Sequence, residues 1–275
     1  FAEVYLNGKY HGLYCLTEKM DRKQLKLKKF KEATETNPEV VRGTLYKSSQ
    51  WSYEVLMGHE MGVNYYPKTA PRSYNNNVRE ETWANFEIKY PDWEDEPIDW
   101  GPLWNAINFV ANSSDPVFKR DIDNYFDVAG VTDYYLFLEL MLATDNHGKN
   151  LFLYNYDQTI DSPTLRNRMG IAPWDLDGTW GRRWDGKKDI CMPDQDFTTF
   201  LWNYEHGTLT LFHRLKRLGS MGWEDELAAR YAELRETHFS EESLCARFQK
   251  YADLFEESGV VAREAACWSS YHPDI

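Results

Sequence analysis

The 275-residue sequence contains no apolar run approaching the roughly 20 residues that a helix needs to cross a bilayer, so no transmembrane helix is expected. It opens on no basic segment leading into an apolar one, and any export signal is expected to have been removed or to lie outside this chain. Basic charge is short. With 31 Lys and Arg against 44 Asp and Glu the net charge is −13, which argues against DNA or RNA as a main partner. A nucleotide is not excluded, because metal ions or local lysines can neutralise its phosphates. Cysteine is scarce and follows no zinc-ligand spacing: Cys15, Cys191, Cys245 and Cys267 allow three pairings, Cys245 with Cys267 between C-terminal helices being one. There is no internal repeat and no low-complexity tract.

What is abundant is aromatic. Eleven Trp, 18 Tyr and 14 Phe make 16% of the chain, a content that suits either a large aromatic core or a sugar-stacking surface. An apolar fraction of 42% with 27% charged residues is that of a globular protein. Residues 1–6 and 10–17 around Asn7-Gly8 predict a β-hairpin with a type I′ turn. The basic stretch Lys19 to Lys31 predicts a solvated helix starting near Asp21, with a phosphate-binding patch as the sharper alternative. Gly43 to Lys47 suits a short strand. Residues 51–100, rich in Tyr, Asn, Pro and acids, lose clear periodicity, and short elements or a family-specific insertion are expected there. Helices are predicted at 101–112, at 116–126 behind Asp115-Pro116, and at 132–144 with a broad apolar stripe. Strands follow at 151–156 and 169–174. The tail from about 209 is predicted helical (209–218, 222–237, 241–265, with Ser240 as N-cap) and should pack on the 132–144 helix.

Two polar, glycine-containing clusters adjoin apolar elements, where a scaffold presents functional groups: residues 144–150 (TDNHGKN) and 174–181 (WDLDGTWG). Singly, Asp145 reads equally as a helix terminator, and Asp175 or Asp177 as a helix cap. Together they follow the order of kinase-like phosphotransferases: a helix, a loop Asp with an Asn five residues on, a hairpin, then an Asp at its exit. Phosphoryl transfer needs one carboxylate to orient or deprotonate the attacking hydroxyl. It also needs an amide oxygen and a second carboxylate to hold the Mg²⁺ ions that bridge the phosphates. Asp145 and Asn150 reproduce the catalytic-loop interval without the preceding His-Arg, and Asp-Leu-Asp-Gly stands where Asp-Phe-Gly would.

The stretches VYLNGKYHGLYCLTEKMDR, DYYLFLELMLATDNHGKNLFLYNYD and IAPWDLDGTWG, in this order, resemble the CotH family, the spore-coat protein H kinases, which are atypical protein kinases. LTLFHRLKRL and ARYAELRETHFSEESL match more weakly, and about 51–100 and 182–205 fall outside the likeness. The resemblance implies an α+β, protein-kinase-like two-lobed fold with a partial small β lobe and a mostly helical large lobe. Residues 1–50 would end the small lobe and form the hinge, 51–100 would be the irregular or inserted segment, and 101–275 the large lobe. It implies transfer of the ATP γ-phosphate to Ser or Thr of a protein, with Mg²⁺, or Mn²⁺ in its place. Asp145 would be the catalytic aspartate, Asn150 and Asp175 metal ligands, and Asp177 a second ligand or a stabiliser of the loop. Lys149 is a candidate phosphate contact, and Glu18, in the stretch leading to the hinge, a nucleotide contact. Family members carry further sequence before the hairpin, with the phosphate-pairing lysine. The protein is therefore expected to continue N-terminally, with Lys47 as the internal alternative for that lysine. The protein substrate would be a coat or cell-surface protein, and the location secreted, cell-surface or spore coat, with which the sequon Asn112-Ser113-Ser114 is compatible.

Two other classes fit parts of the pattern. Asp175-Leu176-Asp177 is also a D-x-D, as in glycosyltransferases that hold a Mn²⁺-bound sugar nucleotide, but that reading gives Asp145 and Asn150 no role. A non-catalytic coat or surface protein with a kinase-like fold is the other, and the intact Asp145, Asn150 and Asp175 set argues against it.

Overall fold

The two-residue turn at Asn7 and Gly8 has φ of 51° and 77°, the left-handed pair that a type I′ hairpin demands and that Asn-Gly supplies at little strain. It joins β1 (Ala2–Leu6) to β2 (Lys9–Tyr14), antiparallel, with a bulge between Val4 and Tyr5. This hairpin begins a computed structural model of the chain, which describes residues 1–52, 54–57, 82–83, 85–94, 96–160, 167–182, 211–218 and 222–268. The chain divides into two compact units, Phe1–Lys19 with Arg230–Ile275, and Met20–Ala229. Among the described residues it is α+β, with two antiparallel sheets and seven α-helices, none long and apolar enough to cross a membrane.

The first unit pairs the hairpin with the C-terminal helices. α6 (Glu241–Ser258) starts as its sequence predicts, Ser240 Oγ accepting the Ser243 N–H at 3.2 Å, and ends on Gly259 at φ 66°. α7 (Val260–Trp268) packs on β2, where Glu264 Oε1 accepts from Tyr10 Oη at 2.7 Å and from the Leu13 N–H at 2.6 Å. Arg263 makes a bidentate pair with Glu3. Cys15, Cys245 and Cys267 are unpaired and exposed, so the Cys245–Cys267 bridge does not form, and Cys191 lies outside the described residues.

In the second unit a five-stranded antiparallel sheet runs in the order β4-β5-β3-β6-β7. Its strands are β3 (Thr44–Ser48), β4 (Thr82–Trp83), β5 (Phe86–Tyr90), β6 (Leu151–Asn155) and β7 (Met169–Pro173). Alternation along the strands builds two apolar faces. Tyr46, Phe86, Ile88, Leu151 and Leu153 join the main core with α1 (Gly101–Asn112), α2 (Asp115–Tyr125) and α3 (Val128–Met141). Leu45, Tyr90, Phe152 and Ala172 form a smaller cluster on the other face with Leu27. Thus β5, inside the aperiodic segment, is a sheet strand; residues 58–81 lie outside the described residues.

Three expectations need correction. Residues 21–27 form turns, not a helix: Asp21 Oδ1 accepts the Lys23 and Gln24 N–H groups at 2.8 and 2.9 Å, and Lys26 is left-handed at φ 56°, which brings Leu27 back into the core. α3 is displaced toward the N-terminus, starting behind the Asp127 cap and ending at a left-handed Leu142. The helical tail divides. α4 (Leu211–Leu218) and Trp223, the first residue of α5 (Trp223–Arg235), do pack on α3: Phe212 meets Tyr135 at 5.3 Å between ring centroids, and Trp223 Nε1 donates to Thr132 Oγ1 at 2.9 Å. α6 and α7 instead belong to the unit of the hairpin.

Candidate active site

After Leu142 the chain makes a short 3-10 turn, Thr144–His147, and enters β6 through Gly148, Lys149 and Asn150. Asp145 therefore sits on a separate turn and does not end the helix. β7 runs antiparallel to β6, with Leu151 opposite Pro173, which returns the chain to the same end of the ladder just before Asp175. Asn150 and Asp175 both have left-handed backbones, φ 53° and 54°, a conformation that costs most residues energy and that Asn and Asp tolerate best.

The Asn150 side chain joins the two loops. Its Nδ2 donates to Asp145 Oδ2 at 2.9 Å and lies 3.5 Å from the Asp175 carbonyl oxygen. The other carboxylate oxygen, Asp145 Oδ1, accepts from Trp51 Nε1 at 2.6 Å. With one donor on each oxygen the carboxylate plane is fixed, and each oxygen keeps a further lone pair. Lys149 Nζ stands 3.9 Å from Asp145 Oδ2 with its side chain 38% exposed, so most of its charge interaction is with water.

Beneath this contact lies a buried staple. Asn146, 1% exposed, donates from Nδ2 to the Asn150 carbonyl at 2.8 Å and to the Trp174 carbonyl at 2.6 Å. Tyr134 of α3, also buried, donates its hydroxyl to the Asn146 carbonyl at 2.6 Å, and the Trp174 N–H returns to the Asn150 carbonyl at 2.9 Å. The loop after Asp177 is tied to α3 through the Trp180 N–H and the Met141 carbonyl, 2.8 Å. Gly148 is required by contact: a Cβ there would overlap the Trp51 ring and come 2.9 Å from Leu56 Cδ2.

Of the residues singled out by sequence, Asp145, Asn150, Asp175 and Lys149 are thus at one place. Lys47 is on β3 with Nζ 5.8 Å from the centroid of the Trp174 ring, next to Asp175 in the chain. Asp175 and Asp177 are exposed and their carboxylates make no hydrogen bond or ion pair among the described residues. Glu18 is an exposed residue of the other compact unit. Among the described residues no three His, Cys, Asp or Glu side chains gather as a metal cage would require. Two participants had no sequence assignment. Trp51 is separated from Asp145 by 94 positions, and no local pattern marks it. Asn146 stood inside the recognised cluster, where Asp-Asn adjacent to an apolar strand was the available signal.

Across nearly its whole length, residues 1–272, the chain matches a family model described as CotH kinase protein. No curated protein matches it.

Proposed function

The chain belongs to the CotH kinase protein family, and from that premise we propose that it is a Mg²⁺-dependent kinase transferring the γ-phosphate of ATP to a Ser or Thr hydroxyl of a protein. One observation carries the reading: the Asn150 amide touches both the Asp145 carboxylate and the Asp175 main chain, which unites the two loops that phosphoryl transfer requires. The donor set suits the ion. Mg²⁺ takes oxygen ligands, commonly one or two carboxylates with the rest from water and substrate phosphates, so Asp175 and the Asn150 amide oxygen are enough without a protein cage. Asp177 would be an outer ligand or would hold its loop. When bound, Mg²⁺ supplies positive charge against the phosphate oxygens.

The protein's own groups have separable tasks. Asp145, oriented by Trp51 and Asn150, accepts the proton of the acceptor hydroxyl as that oxygen bonds to the γ-phosphorus and the bond to the β–γ bridging oxygen breaks. Lys47, on the sheet face beside Trp174, and Lys149 are the candidate phosphate contacts among the described residues. Asp145→Asn should nearly abolish transfer while leaving nucleotide affinity within a few-fold, since the group acts on the acceptor. Asp175→Asn should weaken Mg²⁺-ATP binding itself. ATP–Mg²⁺ titration and phosphate transfer on both variants test this. Equal loss of binding would make Asp145 a metal ligand too; full activity in either variant would remove that residue from the mechanism, and no transfer by the wild type would return the chain to a non-catalytic binding role.

A further inference from the structure

Left-handed backbone gathers at the candidate active site. Among the described residues eight other than glycine have positive φ, and four of them, Leu142, Asn150, Asp175 and Trp180, lie in or beside its two loops. Leu142 ends α3, and Asn150 and Asp175 are residue types that tolerate this backbone. Trp180 is neither. It stands at φ 54°, where a bulky side chain is an outlier, and glycine would meet the backbone demand without strain. What glycine would lack is the indole.

That indole is presented from a fixed loop. The Trp180 N–H donates to the Met141 carbonyl at 2.8 Å, the Thr179 hydroxyl to the Leu176 carbonyl at 2.8 Å, and the Arg182 N–H to the Thr179 carbonyl at 3.0 Å. Thr179 is buried, whereas Trp180 is 42% exposed. Among the large hydrophobic side chains described within Met20–Ala229, it is the one that is exposed. Apolar residues scattered singly on a surface are ordinary, but here a large ring is left in water at a strained position of a hydrogen-bonded loop. Strain of this kind collects where a ligand is held.

The neighbours of Trp180 indicate which ligand. Trp180 is five residues beyond Asp175, and Met141, to which it is tied, is four before Asp145. Four residues span at most about 14 Å, in a protein loop or in an extended peptide alike. A polypeptide whose hydroxyl is placed at Asp145 therefore comes within reach of the Trp180 loop a few residues along its chain.

We propose that Trp180 docks the acceptor polypeptide, its exposed ring receiving an apolar side chain within about four residues of the Ser or Thr to be phosphorylated. This rests on the kinase reading and adds the substrate class: hydroxyls flanked by residues such as Leu or Phe. A ring held by two χ angles on a pinned backbone loses little freedom on binding, and Trp is enriched where polypeptide partners are anchored. Ring surface is what the position offers, so an apolar partner gains more there than a cation placed over its face.

The test is phosphate transfer from ATP with Mg²⁺ by the full chain to a set of eleven-residue peptides. Each has a central Ser in a Gly and Gln background, with Leu, Arg or no replacement at one position up to four residues away. The best Leu peptide should exceed the unreplaced and the Arg peptides at least tenfold in kcat/KM. Trp180→Ala should raise the KM for that peptide at least tenfold with little change in kcat, and Trp180→Phe should restore most of the loss. Trp180→Gly, which relieves the backbone, should lose the Leu preference as Ala does while melting no lower than Ala, which separates docking from folding. Leu no better than Gln, preference for Arg, or an unchanged KM in both the Ala and Gly variants would overturn the proposal and leave the kinase reading standing. ATP hydrolysis by the wild type without transfer to any peptide would overturn it as well. If the wild type neither binds nor hydrolyses ATP and transfers to no peptide, the kinase reading itself falls.

Discussion

Asn146 is the side chain on which the geometry of the candidate active site most directly depends, and its removal makes a quantitative prediction. In Asn146→Ala the Trp174 carbonyl loses the only hydrogen bond it accepts among the described residues, and the Asn150 carbonyl loses one of two, keeping the Trp174 N–H. A stranded buried acceptor costs about 1–3 kcal/mol, and Trp174 is only half-buried, so the lower half of that range applies. The second bond to Asn150 adds about 1 kcal/mol, for a total loss of roughly 2–3 kcal/mol. Asn146→Asp should be worse than Ala, because it turns a carboxylate oxygen toward two carbonyls while preserving volume. Equilibrium urea denaturation, with amide exchange of Asn150, Trp174 and Asp175 as the local reading, measures both effects. Exchange at those three amides should accelerate more than in the α1 and α2 helices, since the staple holds the two loops that carry the left-handed residues. If both variants lose less than about 0.5 kcal/mol, or if Asp is no worse than Ala, the staple is not what holds these loops and the reasoning fails.

Gly148→Ala should destabilise by about 1–3 kcal/mol through overlap with Trp51 and Leu56 and should lower phosphate transfer by withdrawing the indole N–H from Asp145; unaltered stability and transfer in this variant would remove Trp51 from the site. Asp157 is fully buried against Arg42; burial pushes its carboxyl up, but Arg42 and Thr159 outweigh this and hold it below the usual carboxylate range. Its contribution is therefore present above the unfolded value of about 3.9 and is lost as pH falls through the lower folded value. The stability gap between wild type and Asp157→Asn should narrow below about pH 4, and a gap constant from pH 7 to 3 would refute the assignment.

The parts of the fold legible in the sequence were those decided over short range. Asn7-Gly8 specifies a turn whose φ values only a few residues tolerate, Ser240 caps a helix three residues from its partner, and short apolar runs mark β6 and β7. The misread segments are those where a distant contact outweighs local preference. The basic stretch at 19–31 has helical composition, yet Asp21 closes a turn and Leu27 is drawn under the sheet, so burial of one leucine against Leu45 and Phe152 decides the path. α3 stops at a left-handed Leu142, a residue no capping rule selects. The Ala143 N–H to the Leu138 carbonyl and the Trp180 N–H to the Met141 carbonyl hold it there, and the second comes from 39 positions on. Amphipathic spacing in the tail reports that a face of each helix is buried and not against what; α7 packs on the hairpin through Glu264 and Arg263, polar contacts that periodicity does not register.

The candidate site was legible for a different reason, which also explains what was missed in it. Phosphoryl-transfer chemistry constrains residue type and interval within one loop, so Asp145 and Asn150 can be picked out by spacing, and Asp175 by its place after a strand. Chemistry does not constrain who orients the carboxylate. Trp51 meets that need from 94 positions away with an indole N–H, and Asn146 serves it from beneath; any donor at the right place would have served. Under the proposed function Asn150 and Asp175 are more restricted, because each would have to combine its left-handed backbone with an oxygen donor to the metal. Glycine meets the first demand and not the second, Glu and Gln meet the second with strain in the first, and only Asn and Asp meet both at low strain. Both positions hold such a residue, so the local backbone and the proposed metal chemistry select the same side chains. That agreement is why these two remained visible in the sequence while the residues supporting them did not.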